Sequence, residues 1–205
     1  MTILIVARHG NTFEAGETPR RVGAGTDLPL TAAGLQQGRN IGAYLKKINL
    51  LPDEIYTSRL RRTQQTAAEI IAEAGLQLRP QASVIFNELD YGHDENKTED
   101  EVIARLGEQA MADWEERAIV PRGWNPNAEI ISGRWETFAH DIVRTHPDGI
   151  VLVVTSNGIA RFALGLTGDF ETARQQYGLK LATGALGLLE HDGRNWSVQN
   201  WNVRP

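Results

Sequence analysis

The first residues of the chain restrict its fold more than any other stretch. Residues 3–6 form an unbroken apolar run rich in β-branched side chains, which is typical of a strand buried on both faces of a sheet. The run ends at Arg8, His9 and Gly10, which suit a hydrophobic core poorly. Because ligands bind beyond the carboxyl ends of strands in open α/β sheets, we expect His9 to lie at a ligand site. Taken alone, a histidine at a strand end is more often an ordinary surface residue.

Strands and helices alternate along the rest of the chain, which predicts a single α/β domain over residues 1–205 with a mostly parallel central sheet. Apolar runs predict further strands at residues 53–57, 83–86 and 150–154, and a terminal hairpin that turns at Asp192-Gly193. Helices are predicted from Thr31, after residue 62, from Thr98 to residue 114, from Ser132 and after residue 158. We predict that residues 93–132 form a cap or insertion within this domain.

Composition excludes several classes of protein. The formal charge of −5 argues against binding to nucleic acid or to a membrane surface, which requires a basic face. The chain has no cysteine, so it forms neither disulfides nor thiolate metal sites. It shows no signal-peptide pattern and no apolar segment of membrane-spanning length. We therefore expect a soluble, cytoplasmic protein.

Charged residues follow three of the predicted strands. Arg8 and His9 follow the first, Arg59 to Arg62 follow the second, and Glu88 follows the third. Guanidinium groups bind phosphate and carboxylate bidentately, and their charge keeps a neighbouring histidine neutral and nucleophilic. A carboxyl group in the same cleft can protonate a leaving oxygen. The alternative for Arg59, Arg61 and Arg62 is a solvated basic helix start, although positive charge is unfavourable beside the positive end of a helix. The alternative for Glu88 is an ordinary surface carboxylate.

Four segments carry a family resemblance: Arg8-His9-Gly10, Asp27-Leu-Pro-Leu-Thr31, Ser58-Arg-Leu-Arg-Arg62 and Glu88-Leu-Asp-Tyr-Gly92. In this order they resemble the motifs of the histidine phosphatase superfamily, which includes metal-independent phosphatases and phosphoglycerate mutases. The resemblance covers about residues 3–165. It implies a phosphoglycerate mutase-like three-layer α/β/α sandwich and a covalent phosphohistidine at His9. It also implies that Arg8 and Arg62 bind phosphate and that Glu88 donates the proton.

The chain departs from the family pattern after its late strand. The match on Val153, Val154, Gly158 and Arg161 puts Ser156 where the family has its second histidine. Ser156 would be a neutral donor at a helix N-terminus, a place that favours anions. Asn157 replaces the first glycine of this segment. In the first motif, Asn11 and Ala15 replace a glutamate and an asparagine that are common in the mutases. His93, close after Glu88, is a candidate substitute for the missing histidine.

These observations support a phosphomonoester hydrolase that forms a phosphohistidine at His9, uses Glu88 as the acid and needs no metal or other cofactor. The predicted phosphate-binding residues are Arg8, Asn11, Thr12, Arg62 and Ser156, with Arg21, His93 and Asn157 as candidate accessory residues. Two alternatives remain open: a phosphate-binding pseudoenzyme with little or no turnover, and phosphoryl transfer of the phosphoglycerate mutase type. The expected partner is a small phosphorylated substrate, and the sequence leaves a homodimer open.

Overall fold

A six-stranded sheet forms the centre of the computed structural model, which describes residues 1–205. The strands are β1 (Thr2–Arg8), β2 (Glu54–Thr57), β3 (Gln81–Ala82), β4 (Ile150–Thr155), β5 (Leu186–His191) and β6 (Trp196–Val203). They lie in the order β3-β2-β4-β1-β5-β6. The first four are parallel to one another, β5 is antiparallel to β1, and β6 is antiparallel to β5. The predicted mostly parallel α/β fold is confirmed.

Seven helices connect and cover the strands: α1 (Ala32–Lys47), α2 (Arg61–Ala74), α3 (Glu99–Leu106), α4 (Glu108–Arg117), α5 (Ala128–Thr145), α6 (Asn157–Ala160) and α7 (Phe170–Tyr177). Thr31 caps α1 by accepting a hydrogen bond from the backbone N–H of Gly34, as its sequence predicts. The Thr98–Glu101 capping box at the start of α3 is also present. None of these helices is both long and apolar enough to cross a membrane.

The central strands place alternate side chains in two hydrophobic cores, one on each face of the sheet. On one face, Ile5 belongs to a cluster with Ile41 of α1 and Ile70 of α2. On the other face, Leu4 belongs to a larger cluster that includes Trp135 of α5. Helices therefore cover both faces, which gives three layers.

Three predicted boundaries are wrong. Residues 84–86 form a 3-10 turn, and β3 lies just before them at Gln81–Ala82. The helix expected from Thr98 to residue 114 is broken into α3 and α4 at Gly107, which has a positive φ of 88° that glycine adopts readily. Helix α5 begins at Ala128 because the Asn127 side chain accepts the hydrogen bond of the Ile130 N–H, so Ser132 is not its cap.

Candidate active site

The strand order brings the carboxyl ends of β1, β2 and β4 to the same edge of the sheet. Strand pairing continues one residue beyond β1, where the N–H of His9 donates to the carbonyl of Thr155 at 3.0 Å. A cleft of about 920 Å³ opens at this edge. It is lined chiefly by the end of β1, the loop over residues 11–22, the segment over residues 88–91, helices α3 and α4, the segment after β4, and the segment before β5. Arg8 and His9 at the end of β1 thus share a cavity with Glu88, which follows the 3-10 turn at residues 84–86, whereas Arg59 to Arg62 are not among its lining residues.

His9 lies at the base of the cleft and is only 6% exposed. Its ring Nδ1 lies 2.7 Å from the carbonyl oxygen of Gly10. A carbonyl can only accept a hydrogen bond, so Nδ1 carries the proton. The other ring nitrogen, Nε2, therefore holds a free lone pair, as a nucleophile requires.

The surroundings of His9 favour its neutral form. Burial lowers the pKa of the His9 imidazole well below its usual value, and the positive charges of Arg62 and Arg8 lower it further. The hydrogen bond to Gly10 opposes these effects only partly. The His9 ring is therefore held in its neutral form, with one proton on Nδ1 and none on Nε2.

Close backbone packing fixes the turn after His9. A Cβ on Gly10 would lie 2.2 Å from the carbonyl oxygen of Gly34 in α1, so no larger residue fits there. The N–H of Gly10 donates to the Thr66 hydroxyl of α2 at 3.1 Å. Helices α1 and α2 thus hold the histidine-bearing turn rigidly.

Arg8 and Arg62 lie in different environments. Arg8 lines the cleft and donates through Nη1 to the carbonyl of Leu181 at 2.9 Å. Arg62 is fully buried and is not among the residues that line the cleft. Its guanidinium donates to the carbonyls of Gly23 and Thr26 at 3.1 and 2.8 Å. Burial lowers the pKa of both guanidinium groups, and the negative charge of Glu88 partly raises it again. Both arginines nevertheless stay charged, because a guanidinium group does not lose its proton in proteins. In both residues the Nε group is buried without a partner.

Glu88 lines the cleft with its carboxyl group held by the backbone. One oxygen accepts from the N–H of Leu89 at 3.0 Å, and the other accepts from the N–H of Gly158 at 3.1 Å. A Cβ on Gly158 would lie 2.2 Å from Oε1 of Glu88. The glycine after β4 therefore makes room for the carboxyl group.

Ser156 lies at the end of β4, immediately before α6. It is 1% exposed, and its Oγ is buried without a hydrogen-bond partner. Ser156 does not cap α6 with its side chain and is not among the residues that line the cleft, whereas Asn157 and Gly158 are. The Asn157 side chain accepts the N–H of Leu181 at 2.7 Å, which ties this segment to the one before β5.

Three further predicted residues line the cleft. The N–H of Asn11 donates to Gln37 at 2.8 Å and its side-chain oxygen accepts the hydroxyl of Thr183. Thr12 lies beside it in the cleft wall. Arg21 pairs with Glu99 at 2.5 Å.

His93 does not join this group. It lies in the 3-10 turn Gly92–Asp94, is exposed, and is absent from the cleft lining. The inward position in this turn belongs to Asp94, which accepts the indole N–H of Trp124 at 2.6 Å and pairs with Arg105. The adjacent side chain of His93 faces solvent instead.

Several residues that line the cleft were not predicted as site residues: Tyr91, Trp114, Glu115, Arg161, Lys180 and Thr183. Arg161 is 1% exposed, with its guanidinium 4.1 Å from the Trp114 ring centre and paired with Glu115 at 3.3 Å. The signal in the sequence is its place among the positions of the late segment that match the family pattern, together with Val153, Val154 and Gly158. Lys180 and Thr183 carry no local signal.

Comparison with known proteins identifies a family and several similar structures. A family model described as the histidine phosphatase superfamily, branch 1, matches residues 4–204. The chain is 28% identical to a 2,3-bisphosphoglycerate-dependent phosphoglycerate mutase of Methylorubrum populi over 89% of this chain and 86% of that protein. In structure it is similar to a mycobacterial glucosyl-3-phosphoglycerate phosphatase, with a TM-score of 0.81, 23% identity and 98% coverage of both chains. A phosphoserine phosphatase of Entamoeba histolytica is also similar, with a TM-score of 0.79, 20% identity and coverage of 100% and 98%.

Proposed function

The chain belongs to the histidine phosphatase superfamily, branch 1, and on this premise we propose that it hydrolyses phosphomonoesters through a phosphohistidine at His9. The observation that carries the proposal is the state of the His9 ring. Its Nδ1–H is held by the Gly10 carbonyl, and burial with two nearby arginines lowers the imidazole pKa. The ring is thus neutral, oriented and free to attack through Nε2. A phosphorylated small molecule is the substrate type usual in the family.

The proposed reaction has two displacement steps. In the first, the Nε2 lone pair forms a bond to phosphorus while the bond to the leaving oxygen breaks, and Glu88 gives its proton to that oxygen. The Gly10 carbonyl stabilises the positive charge that the ring acquires. In the second, Glu88 takes a proton from water, the water oxygen bonds to phosphorus, and the electron pair returns to Nε2. Neither step needs a metal ion.

The phosphoryl group needs donors that the resting protein does not use. The buried Nε groups of Arg8 and Arg62 and the Oγ of Ser156 have no partner in the structure. Buried polar groups in proteins are nearly always paired, so we assign these groups to the phosphoryl oxygens. Asn11 and Thr12 complete the binding residues, and Arg21 and Asn157 act as accessory residues in the wall of the cleft.

The test is to replace His9 and look for loss of both turnover and the covalent adduct. His9→Ala is expected to abolish release of phosphate from nitrophenyl phosphate, whereas His140→Ala, on the exposed face of α5, is expected to leave it unchanged. Mass spectrometry after rapid quenching without acid is expected to find the phosphoryl group on His9 of the wild type, with the same yield in the presence of a chelator. Wild-type turnover by His9→Ala would contradict the proposal.

Transfer of the mutase type is a second candidate because curated relatives at 27–29% identity are phosphoglycerate mutases. Hydrolysis ranks first because Asn11 stands where the mutases commonly have a glutamate. NMR of a mixture with 3-phosphoglycerate and a trace of 2,3-bisphosphoglycerate, which supplies the phosphoryl group that a mutase histidine must first carry, separates the two. Hydrolysis yields glycerate and inorganic phosphate, whereas a mutase yields 2-phosphoglycerate. Binding with neither product would instead favour the pseudoenzyme.

A further inference from the structure

We propose that a second pocket beside Arg8 binds a second anionic group of the substrate. This pocket, here called the Lys180–Arg204 pocket, has a volume of about 480 Å³ and is lined chiefly by Arg8, Gln37, Lys180, Thr183, Gly184 and Arg204. Arg8, Lys180 and Thr183 also line the catalytic cleft. The two cavities therefore adjoin, and a ligand bound at His9 can extend from one into the other.

The segment that carries Lys180 is fixed to the catalytic residues. The carbonyl of Leu181 accepts from Arg8 at 2.9 Å, and its N–H donates to Asn157 at 2.7 Å. The N–H of Gly184 donates to the carbonyl of His9 at 3.1 Å. Lys180 therefore leaves the backbone at a place that is set relative to His9, as a specificity-determining side chain requires.

Arg204 is placed beside this segment by the strand at the edge of the sheet. The side-chain oxygen of Asn202, in the last strand, accepts the N–H of Ala182 at 2.8 Å. This bond ties the chain just before Arg204 to the segment over residues 180–184. Two cationic side chains from distant parts of the sequence thus share one pocket.

The charges of the pocket are unbalanced. It has three cationic side chains and no aspartate or glutamate among its lining residues, although the whole chain has a net charge of −5. Neither Lys180 nor Arg204 makes an ion pair, including with the carboxylate of Pro205 at the pocket's edge. Of the other cleft arginines, Arg21 and Arg161 are each paired with a glutamate, and Arg20 donates to the carbonyl of Asn96 at 3.0 Å. The unpaired cations suit an anionic ligand group.

The substrate class that follows is a phosphomonoester with a second anion, either a carboxylate or another phosphate, on its leaving group. This assignment rests on the proposed function for its chemistry, because His9 must hold the first phosphoryl group. The binding test itself does not depend on turnover.

The test compares three phosphonates that the protein cannot hydrolyse: propylphosphonate, 3-phosphonopropionate and propane-1,3-bisphosphonate. By calorimetry, wild type is expected to bind 3-phosphonopropionate or propane-1,3-bisphosphonate, which carry a second anionic group, about tenfold or more tightly than propylphosphonate. This factor corresponds to the free energy of about one charged hydrogen bond. In Lys180→Ala/Arg204→Ala this preference is expected to fall below about twofold. Tighter binding of the carboxylate or of the bisphosphonate identifies which second anion the pocket takes.

Two further variants make the result specific. Lys46→Ala/Arg194→Ala removes the same charge from exposed positions outside both cavities and is expected to keep the preference. Lys180→Glu is expected to reverse it. A wild type without preference, or a preference that survives Lys180→Ala/Arg204→Ala, would overturn the proposal. If the binding preference holds but neither glycerol 3-phosphate nor 3-phosphoglycerate is hydrolysed, the pocket is supported and the proposed hydrolysis is the part that fails.

Discussion

His9 illustrates how individual residues make this site. Burial beside two arginines disfavours the imidazolium form, so the fold has to hold a neutral imidazole in a place that destabilises its charge. The unfolded chain has no such restriction and takes up a proton below about pH 6.5. The same feature that makes His9 nucleophilic therefore makes the protein's stability sensitive to acid.

The sign of this effect can be measured. Because the folded-state pKa of His9 is lowered, only the unfolded state binds a proton at this position as the pH falls below about 6.5, which favours unfolding. Relative to His9→Gln, the unfolding free energy of wild type is expected to drop by up to about 1.4 kcal/mol per pH unit below that point. Urea unfolding of both proteins between about pH 8 and pH 5 tests this. Parallel curves for the two proteins would show that His9 titrates normally.

Gly158 is the second residue whose size matters. Gly158→Ala puts a Cβ 2.2 Å from Glu88 Oε1 and is expected to displace Glu88, the proposed general acid. General acids contribute about 10²–10⁴ in rate, so kcat for an alkyl phosphate is expected to fall about tenfold or more. Nitrophenyl phosphate, with its good leaving group, is expected to be slowed less.

The control for this change is Gly133→Ala in α5, where a Cβ meets nothing within 4 Å. It is expected to leave kcat unchanged and to stabilise the helix by about 1 kcal/mol. Equal slowing of both esters by Gly158→Ala would assign Glu88 to binding rather than to proton transfer.

At the scale of elements, short-range chemistry decides where helices begin and end. Asn127 and Ser132 both suit a helix start by residue type, but only Asn127 accepts a backbone N–H, at 2.9 Å from Ile130. Gly107 divides one amphipathic stretch into α3 and α4, and both helices contribute side chains to the cleft wall. The break thus lets Glu99 and Trp114 face the same cavity from separate helices.

The cap of α5 can be tested by stability alone. Asn127→Ala is expected to lower the unfolding free energy by about 1 kcal/mol, the usual cost of losing an N-cap. Ser132→Ala lies inside the helix and is expected to change it by less than about 0.5 kcal/mol. Denaturant titration of the two variants makes the comparison, and a larger effect of Ser132→Ala would contradict the structural assignment.

Sequence reasoning found the parts of the site that local patterns encode. Arg8 and His9 directly follow the apolar strand β1, and parallel pairing with β4 brings the ends of these strands together. Glu88 lies close after a 3-10 turn instead of a strand. The outward position of His93 depends on Asp94 meeting Trp124, which no spacing reveals. Lys180 reaches the site through contacts more than twenty residues apart in sequence. Contacts of that range are the part of the fold that short motifs leave undetermined.

At the scale of the whole molecule, the cleft lies where the strand order joins distant segments. Residues after β1 and β4, helices α3 and α4, and the segment before β5 all line one cavity. A ligand that bridges them binds the folded protein only, because the unfolded chain cannot assemble these groups. Binding energy at the site is therefore also stability of the fold.

Orthovanadate, a phosphate analogue, is expected to raise the Tm of the protein. At about one hundred times its Kd it adds about 2.7 kcal/mol, which corresponds to about 5–10 °C for a chain of this size. Arg8→Gln is expected to lose most of this gain, whereas Arg194→Gln, in the exposed turn between β5 and β6, is expected to keep it. Tryptophan fluorescence during heating measures the shift. The same gain in Arg8→Gln would place vanadate elsewhere.

The two ends of the chain lie at opposite ends of the sheet. Met1 is bound at the start of β1 by Pro147 and Asp148, whereas Arg204 and Pro205 line the pocket beside Arg8. A group attached at residue 205 therefore begins at the Lys180–Arg204 pocket, which adjoins the catalytic cleft, while a group attached at Met1 begins at the opposite end of β1. An affinity tag for purification belongs at the amino end if activity is to be measured faithfully. A fluorophore attached at the carboxyl end would instead report directly on ligand entry.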